Sequence, residues 1–356
     1  MYLLPAFLLL PILPLAQLAE ENHHPLLDVL ELWEHSPEVL AEMIRSSPIA
    51  SIVDIPAMNK TNYKLEARVQ KQGGKAADVL PFVFAHGMGD SCFNPGMKRI
   101  TADAGKHAGV YSTCIPTGDN QPTDTIHGFF MTMNKNVEVF AEKVRADPKL
   151  ANGFNAFGFS QGNSVLRGYI QKYNDPPVNA VIHVHGTVSG VAGFPQCDPS
   201  KNVICKAIAS ACGDAAYNPV TQNMLFQVDY FRDPTRVQSQ AFKKYSELAD
   251  WNNEGLTTNA TYNENFGKTN KFVMVKAMGD TMVFPNEGEW WGHFEDGARK
   301  KVLTMKETEW YTKDLFGLKT ADESGKIAFE STPGNHLQFS EQDLFGWIDK
   351  YIVNSE

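Results

Sequence analysis

Residues 153–173 read GFNAFGFSQGNSVLRGYIQKY, a run that changes character halfway along. Up to Phe159 the stretch is an apolar run of strand length. From Gly162 onward Val165, Leu166, Tyr169, Ile170 and Tyr173 recur at helical spacing. Between the two stands Ser160, in the pattern Gly158-x-Ser160-x-Gly162. With 27 glycines in 356 residues, about 0.1 accidental matches to that pattern are expected over the chain, so its placement matters more than its occurrence. A serine at a strand-to-helix turn reads as a nucleophile elbow, because the turn is too tight for side chains at 158 and 162. The helix that follows aims its positive end at any oxyanion formed by attack. The plain alternative is a serine that caps a helix start.

On either side of this stretch, short apolar runs alternate with amphipathic ones. VLPFVFA (79–85), GVYSTCI (109–115), GFNAFGF (153–159), NAVIHVH (179–185), KFVMVKA (271–277) and KIAFEST (326–332) are the strand candidates. Helical patterns such as NKNVEVFAEKVRAD (134–147), halted by Pro148, lie between them. This rhythm predicts an α/β fold, with a mostly parallel central sheet and helices on both faces. Residues 186–270 break it, being long, helical in texture and rich in Phe, Tyr and Met. They read as a largely helical insertion over the sheet's carboxyl edge, where such folds bind ligands. The α/β domain then spans 76–356. Residues 20–75 are polar, with short helical patterns in HPLLDVLELWEH (24–35) and SPEVLAEMIRSS (36–47). They read as an N-terminal extension or pro-segment that packs against something else.

The start, MYLLPAFLLLPILPLAQLAEENHHP, has an apolar run from Tyr2 to Leu15, then small residues, then acidic ones. That is the shape of a signal peptide over residues 1–19. Pro5, Pro11 and Pro14 disfavour a membrane-spanning helix there, and no later run is long and apolar enough to span. Export would place the chain in the secretory pathway and make its five cysteines disulfide candidates. Cys197 and Cys205 flank turn-forming residues in CDPSKNVIC, which predicts a small closed loop. Cys92, Cys114 and Cys212 remain, with at least one thiol left unpaired or joined to another chain. Asn59 and Asn259 stand in glycosylation sequons. A net charge of -9 with no basic run argues against nucleic acid or an anionic membrane as partner.

A hydroxyl nucleophile needs a base and an orienting acid, which in an α/β-hydrolase follow it in the order Ser, Asp or Glu, His. His336, in the loop TPGNHLQFS after the last strand candidate, can reach back over the carboxyl edge. His293 has no such placement and reads as structural. Asp280 follows KFVMVKAMG at a strand's end, whereas its rival Asp296 has no strand leading to it. Oxyanion donors are expected at the backbone N–H of Gln161 and of Met88, in the loop HGMGDSC (86–92). His86 reads as a brace for that loop. His183 and His185 share one strand face, but no acidic or cysteine partner is evident at ligand spacing, so neither a metal nor a cofactor is expected.

LPFVFAHGMGDSC, NAFGFSQGN, FPQCDPSKNVIC, KFVMVKAMGD, EWYTKDLFGLKTADESGKIAFES and GNHLQFSEQ together resemble the palmitoyl-protein thioesterases of the lysosome. The resemblance runs from about 79 to 350. It implies Ser160 as nucleophile, Asp280 and His336 as its partners, and Met88 with Gln161 as oxyanion donors. It also implies a Cys197–Cys205 bridge, S-acylated proteins or peptides as partners, and a lysosomal or secreted location. Two residues depart from the family's pattern. Phe93 stands where a second cysteine is usual, leaving the bridge of Cys92 open, and Asn163 replaces a glycine, which would narrow the site. A lipase or esterase, an acyl-CoA thioesterase, and a catalytically idle lipid-binding protein are the other readings of this fold, the last opposed by the presence of all three candidate residues.

Overall fold

A computed structural model describes residues 25–54 and 79–354. The expected signal peptide and the Asn59 sequon lie outside them. Six parallel strands form the central sheet: β1 (Phe82–Ala85), β2 (Ser112–Cys114), β3 (Phe154–Phe159), β4 (Val178–Val184), β5 (Lys271–Ala277) and β8 (Ile327–Thr332). Their spatial order is β2-β1-β3-β4-β5-β8. A short antiparallel pair, β6 (His293–Phe294) and β7 (Val302–Leu303), lies apart from it.

Among the described residues, the helices of eight or more residues are α1 (Pro25–His35), α2 (Pro37–Arg45), α3 (Pro95–Ala108), α4 (Gln121–Phe130), α5 (Met133–Ala146), α6 (Gly162–Lys172), α7 (Val203–Ala211), α8 (Ala260–Lys268) and α9 (Glu341–Ile348). Successive strand side chains point to opposite faces, and the core divides accordingly. Phe82, Phe84, Phe157, Phe159 and Ile182 pack with Met97 and Ile100 of α3 and Leu344 and Ile348 of α9. Val83, Ala156, Val181 and Met274 pack on the other face with Phe140 of α5, Leu166 and Tyr169 of α6 and Phe266 of α8. Strands β1, β3, β4 and β5 are buried on both faces, which is why they read as apolar runs, whereas the edge strands β2 and β8 are partly exposed.

Residues 186–259 cover the sheet's carboxyl edge in irregular chain and short helices. The expected insertion ran to about 270. Its last part, α8, instead packs against α6 and leads directly into β5, so it belongs to the helical layer of the sheet. The cover is tied down by Arg167 of α6, which is fully buried and donates to the carbonyl oxygens of Val188 (2.6 Å) and Trp251 (3.2 Å) and to the side chain of Asn252 (2.6 Å). Asn259 is exposed and caps the start of α8. Cys197 is bridged to Cys205, and Cys92 to Cys114, which links the loop after β1 to the end of β2. The single residue Cys92 therefore finds its partner without a second cysteine at Phe93. Cys212 is the free thiol. Among the described residues, no helix is long and apolar enough to cross a membrane.

Candidate active site

β1, β3, β5 and β8 end on the same edge of the sheet, and each delivers residues to one place. Ser160 follows β3 directly and takes a left-handed φ of 52°, a conformation that costs a non-glycine residue about 1–3 kcal/mol and persists only when its surroundings enforce it. Those surroundings are visible. A Cβ on Gly162 would lie 2.3 Å from the carbonyl oxygen of Ala85, and one on Gly158 would lie 2.1 Å from Oδ1 of Asn163. The Ser160 N–H donates to Val184 of β4 (3.0 Å).

Asn163 lies beneath this turn. Its amide Nδ2 donates to the carbonyl oxygens of Ser160 (3.0 Å) and Val184 (3.0 Å), while Oδ1 meets Nδ1 of His183 at 2.9 Å. The side chain therefore does not narrow the site, as its place in the sequence suggested, because it points to the underside of the elbow. Burial pushes His183 down to about 3, so its ring is neutral and Nδ1 is the donor.

His336 Nε2 lies 2.8 Å from Ser160 Oγ, and its Nδ1 lies 2.6 Å from Asp280 Oδ2. Burial alone would raise the Asp280 carboxyl, but the hydrogen bond and charge of His336 outweigh it and hold it well below the ordinary range. Asp280 Oδ1 also accepts from the N–H groups of Met282 (2.6 Å) and Val283 (2.9 Å). With Nδ1 donating to the carboxylate, Nε2 is free to accept a proton from a hydroxyl.

Glu289, which belongs to no motif in the sequence, is 1% exposed. Its Oε2 accepts from the Ala277 N–H (2.7 Å), and its carboxyl also bonds that of Asp280. Burial, then the neighbouring Asp280, raise it well above the ordinary range. The upward shift favours its protonated form, which can donate to the carboxylate beside it.

The loop after β1 supplies the other wall. Among the described residues, the N–H groups of Met88 and Gln161 donate to no protein acceptor, so both are available to an oxyanion. The Gln161 side chain is pinned by Gly128, Gln227 and Tyr230. His86 braces the loop as expected, through Gly87 (2.9 Å) and Asp124 (3.3 Å). Burial opposes its charge, but Asp124 and Asp90 raise it to about 9. Asp124 in turn accepts from Ser91 Oγ and from the N–H groups of Cys92, Thr117 and Gly118.

His185 accepts from the Leu337 N–H (2.8 Å) and faces the Thr332 hydroxyl (3.0 Å). His185, Asp280 and His336 lie close enough to share a metal ion, as do His86, Cys92 and Asp124. In the first set the hydrogen bonds above occupy the ligand atoms; in the second the Cys92 sulfur is in a disulfide. His293 is buried beside Arg232 (3.1 Å), and Asp296 pairs with that same arginine, so neither His293 nor Asp296 reaches Ser160.

Residues 81–336, from just before β1 to His336 itself, match the model of the palmitoyl protein thioesterase family. The chain is also 37% identical over 284 residues to palmitoyl-protein thioesterase 1 of Caenorhabditis elegans, covering 78% of this chain and 93% of that one. This chain belongs to the palmitoyl-protein thioesterase family. It is a thioester hydrolase. Palmitoyl-protein thioesterase 3 of Dictyostelium discoideum is 36% identical over 229 residues, covering 63% of this chain and 74% of its own. Lysosomal thioesterase PPT2-B of Xenopus laevis is 27% identical over 210 residues, covering 56% and 69%. In this member of the family, residues 25–54 stand outside the matched span.

Proposed function

We propose that the enzyme removes long-chain fatty acyl groups, palmitoyl among them, from cysteine side chains of proteins or peptides. In this reading Ser160 attacks the thioester carbonyl while His336 takes its proton, and Asp280 holds the imidazole tautomer and stabilises its charged form. The Met88 and Gln161 N–H groups receive the oxyanion. The cysteine leaves as its thiolate and takes the proton from His336, whose neutral imidazole then draws a proton from the water that hydrolyses the acyl-enzyme and returns it to Ser160. A thiolate leaves more readily than an alkoxide, so oxyanion support matters more than acid assistance. Met88 and Gln161 should therefore carry much of the rate. Relatives named as lysosomal and the apolar start of the sequence support work in the lysosome or outside the cell.

The observation that carries the reading is the continuous pair of hydrogen bonds, 2.8 Å and 2.6 Å, from Ser160 through His336 to Asp280. Ser160→Ala tests it. A protein that stays folded should lose turnover by about 10⁶, the scale of nucleophile removal in other triads. Retention of about 1% of activity would be incompatible with the assignment, since other triads keep far less. Comparing hydrolysis of palmitoyl-cysteine peptide, palmitoyl-CoA and a glyceride identifies the acyl donor, and a preference for the glyceride would overturn the substrate class.

A further inference from the structure

Residues 25–54 do not pack against a remote surface. They run over the mouth of the site. Helix α2 packs on α4 and α1 on α7. Leu40, Ile44 and Ile49 join an apolar cluster with Met88, Phe129 and Ile208. Beyond α2 the chain is fixed backbone to backbone, with the Ser51 N–H donating to the carbonyl oxygen of Met88 (2.6 Å) and the Val53 N–H to Oδ2 of Asp90 (2.8 Å). The fit leaves no room for side chains opposite. A Cβ on Gly87 would lie 2.8 Å from the Ser51 carbonyl oxygen, and one on Gly96 only 1.8 Å from that of Val53.

Ser51 is 3% exposed, and its hydroxyl lies 3.1 Å from Ser160 Oγ and 3.3 Å from His336 Nε2. With Nδ1 bonded to Asp280, Nε2 has one lone pair, and two hydroxyls now compete for it. When Ser160 donates to Ser51 and Ser51 donates to His336, the base no longer faces the nucleophile's proton. The space left beside Ser160, between Ile49, Ser51, Met88, Tyr230 and Met282, is about 10 Å³, room for one water at most. A second hollow, of about 150 Å³, opens beside His336 between Ala50, Ser51, Met282 and Gln338, so the seated segment closes the apolar side of the site next to Ser160, and an acyl chain cannot lie there while it is in place.

We propose that residues 37–54 are an intramolecular occupant of the acyl site, and that the full chain acts only in the fraction of molecules from which they are displaced. The proposal rests on the functional reading above. Activity then scales with the displaced fraction, and a substitution that loosens the segment raises it.

Ile44→Asp and Val53→Pro, in the full chain, each remove an anchor without touching the catalytic groups. Both variants should label at Ser160 with a fluorophosphonate, and hydrolyse palmitoyl-cysteine peptide, about tenfold faster or more, since a loosening by about 1.4 kcal/mol is tenfold in the displaced population. A peptide of residues 37–54 added to either should slow it again. Folded variants that react no faster than the unsubstituted chain would overturn the occupant while leaving the enzyme reading intact. No labelling and no hydrolysis in any folded form would overturn both. Hydrogen exchange on the unsubstituted protein needs no variant. A covalent adduct at Ser160 must displace Ser51, so the Ser51 and Val53 amides should lose protection on labelling, and unchanged protection would refute the proposal.

Discussion

Asn163 holds the carbonyl oxygen of Ser160 and the ring of His183 at once, at 3.0 Å and 2.9 Å. The elbow is thus fastened from below by a buried amide. Asn163→Ala leaves the His183 N–H without its acceptor, a loss of about 1–3 kcal/mol for a buried donor. The Ser160 carbonyl keeps its bond from the Asn163 N–H (3.1 Å), so the turn survives but loosens. The expected outcome is a lower melting temperature together with a fall in kcat at near-constant KM. Steady-state kinetics at matched folded fraction decide it, and an unchanged kcat would show that the elbow does not depend on the amide.

Glu289 gives a sharper comparison, because its role depends on a proton. Glu289→Gln keeps a donor toward Asp280, whereas Glu289→Ala leaves the carboxylate and the Ala277 N–H without that partner. The glutamine variant should stay close to the parent in kcat, and the alanine variant should fall by about tenfold, the equivalent of one hydrogen bond of about 1.4 kcal/mol. Equal rates in both variants would mean that the acid only fills space.

His86 predicts a pH dependence of stability. Its folded value of about 9 exceeds its ordinary 6.5, and a rise of that size corresponds to about 3 kcal/mol. The folded state binds the proton more tightly, so this stabilisation is complete below about pH 6.5 and disappears as pH rises through about 9. The melting-temperature gap between the parent and His86→Ala should therefore be wide at pH 6 and narrow by about pH 9.5. A gap that stays constant across that range would exclude the charged pair with Asp124.

What was legible in the sequence is what local geometry constrains. Phe154–Phe159, Ser160 and α6 could be read together because a strand, a tight turn and a helix each leave a mark within a few residues. Asp280 and His336 followed because the fold fixes their order and each sits just past a strand. Glu289 left only a faint sign, a carboxylate next to Trp290 and Trp291 in an apolar stretch. The contacts of Ser51 left none. They join residues 109 and 285 positions apart in sequence, through a loop without periodicity. Asp124 was illegible for the same reason, since it gathers donors from Ser91 to Gly118 in a cluster that only the folded chain assembles.

The cover over the site makes a prediction about acyl length. Val191, Phe194 and Tyr230 face the space beside Ser160, and Leu225, Val228 and Phe231 continue the apolar surface on which Leu40, Ile44 and Ile49 now lie. Once the N-terminal segment is displaced, that surface is the one an acyl chain would cover. Each methylene buried there contributes about 0.8 kcal/mol, or about fourfold in kcat/KM. The gain stops when the surface is filled, so kcat/KM should climb with acyl length and level off at about 14 carbons or beyond, not fall evenly on either side of a short optimum. The same slope should appear in Ile44→Asp, with all rates raised together, because the substitution changes how often the surface is open and not what it binds. Acyl-cysteine peptides from acetyl to palmitoyl, each assayed below its micelle concentration, provide the series. A flat profile would mean that the cover shields the sheet and takes no part in binding the chain.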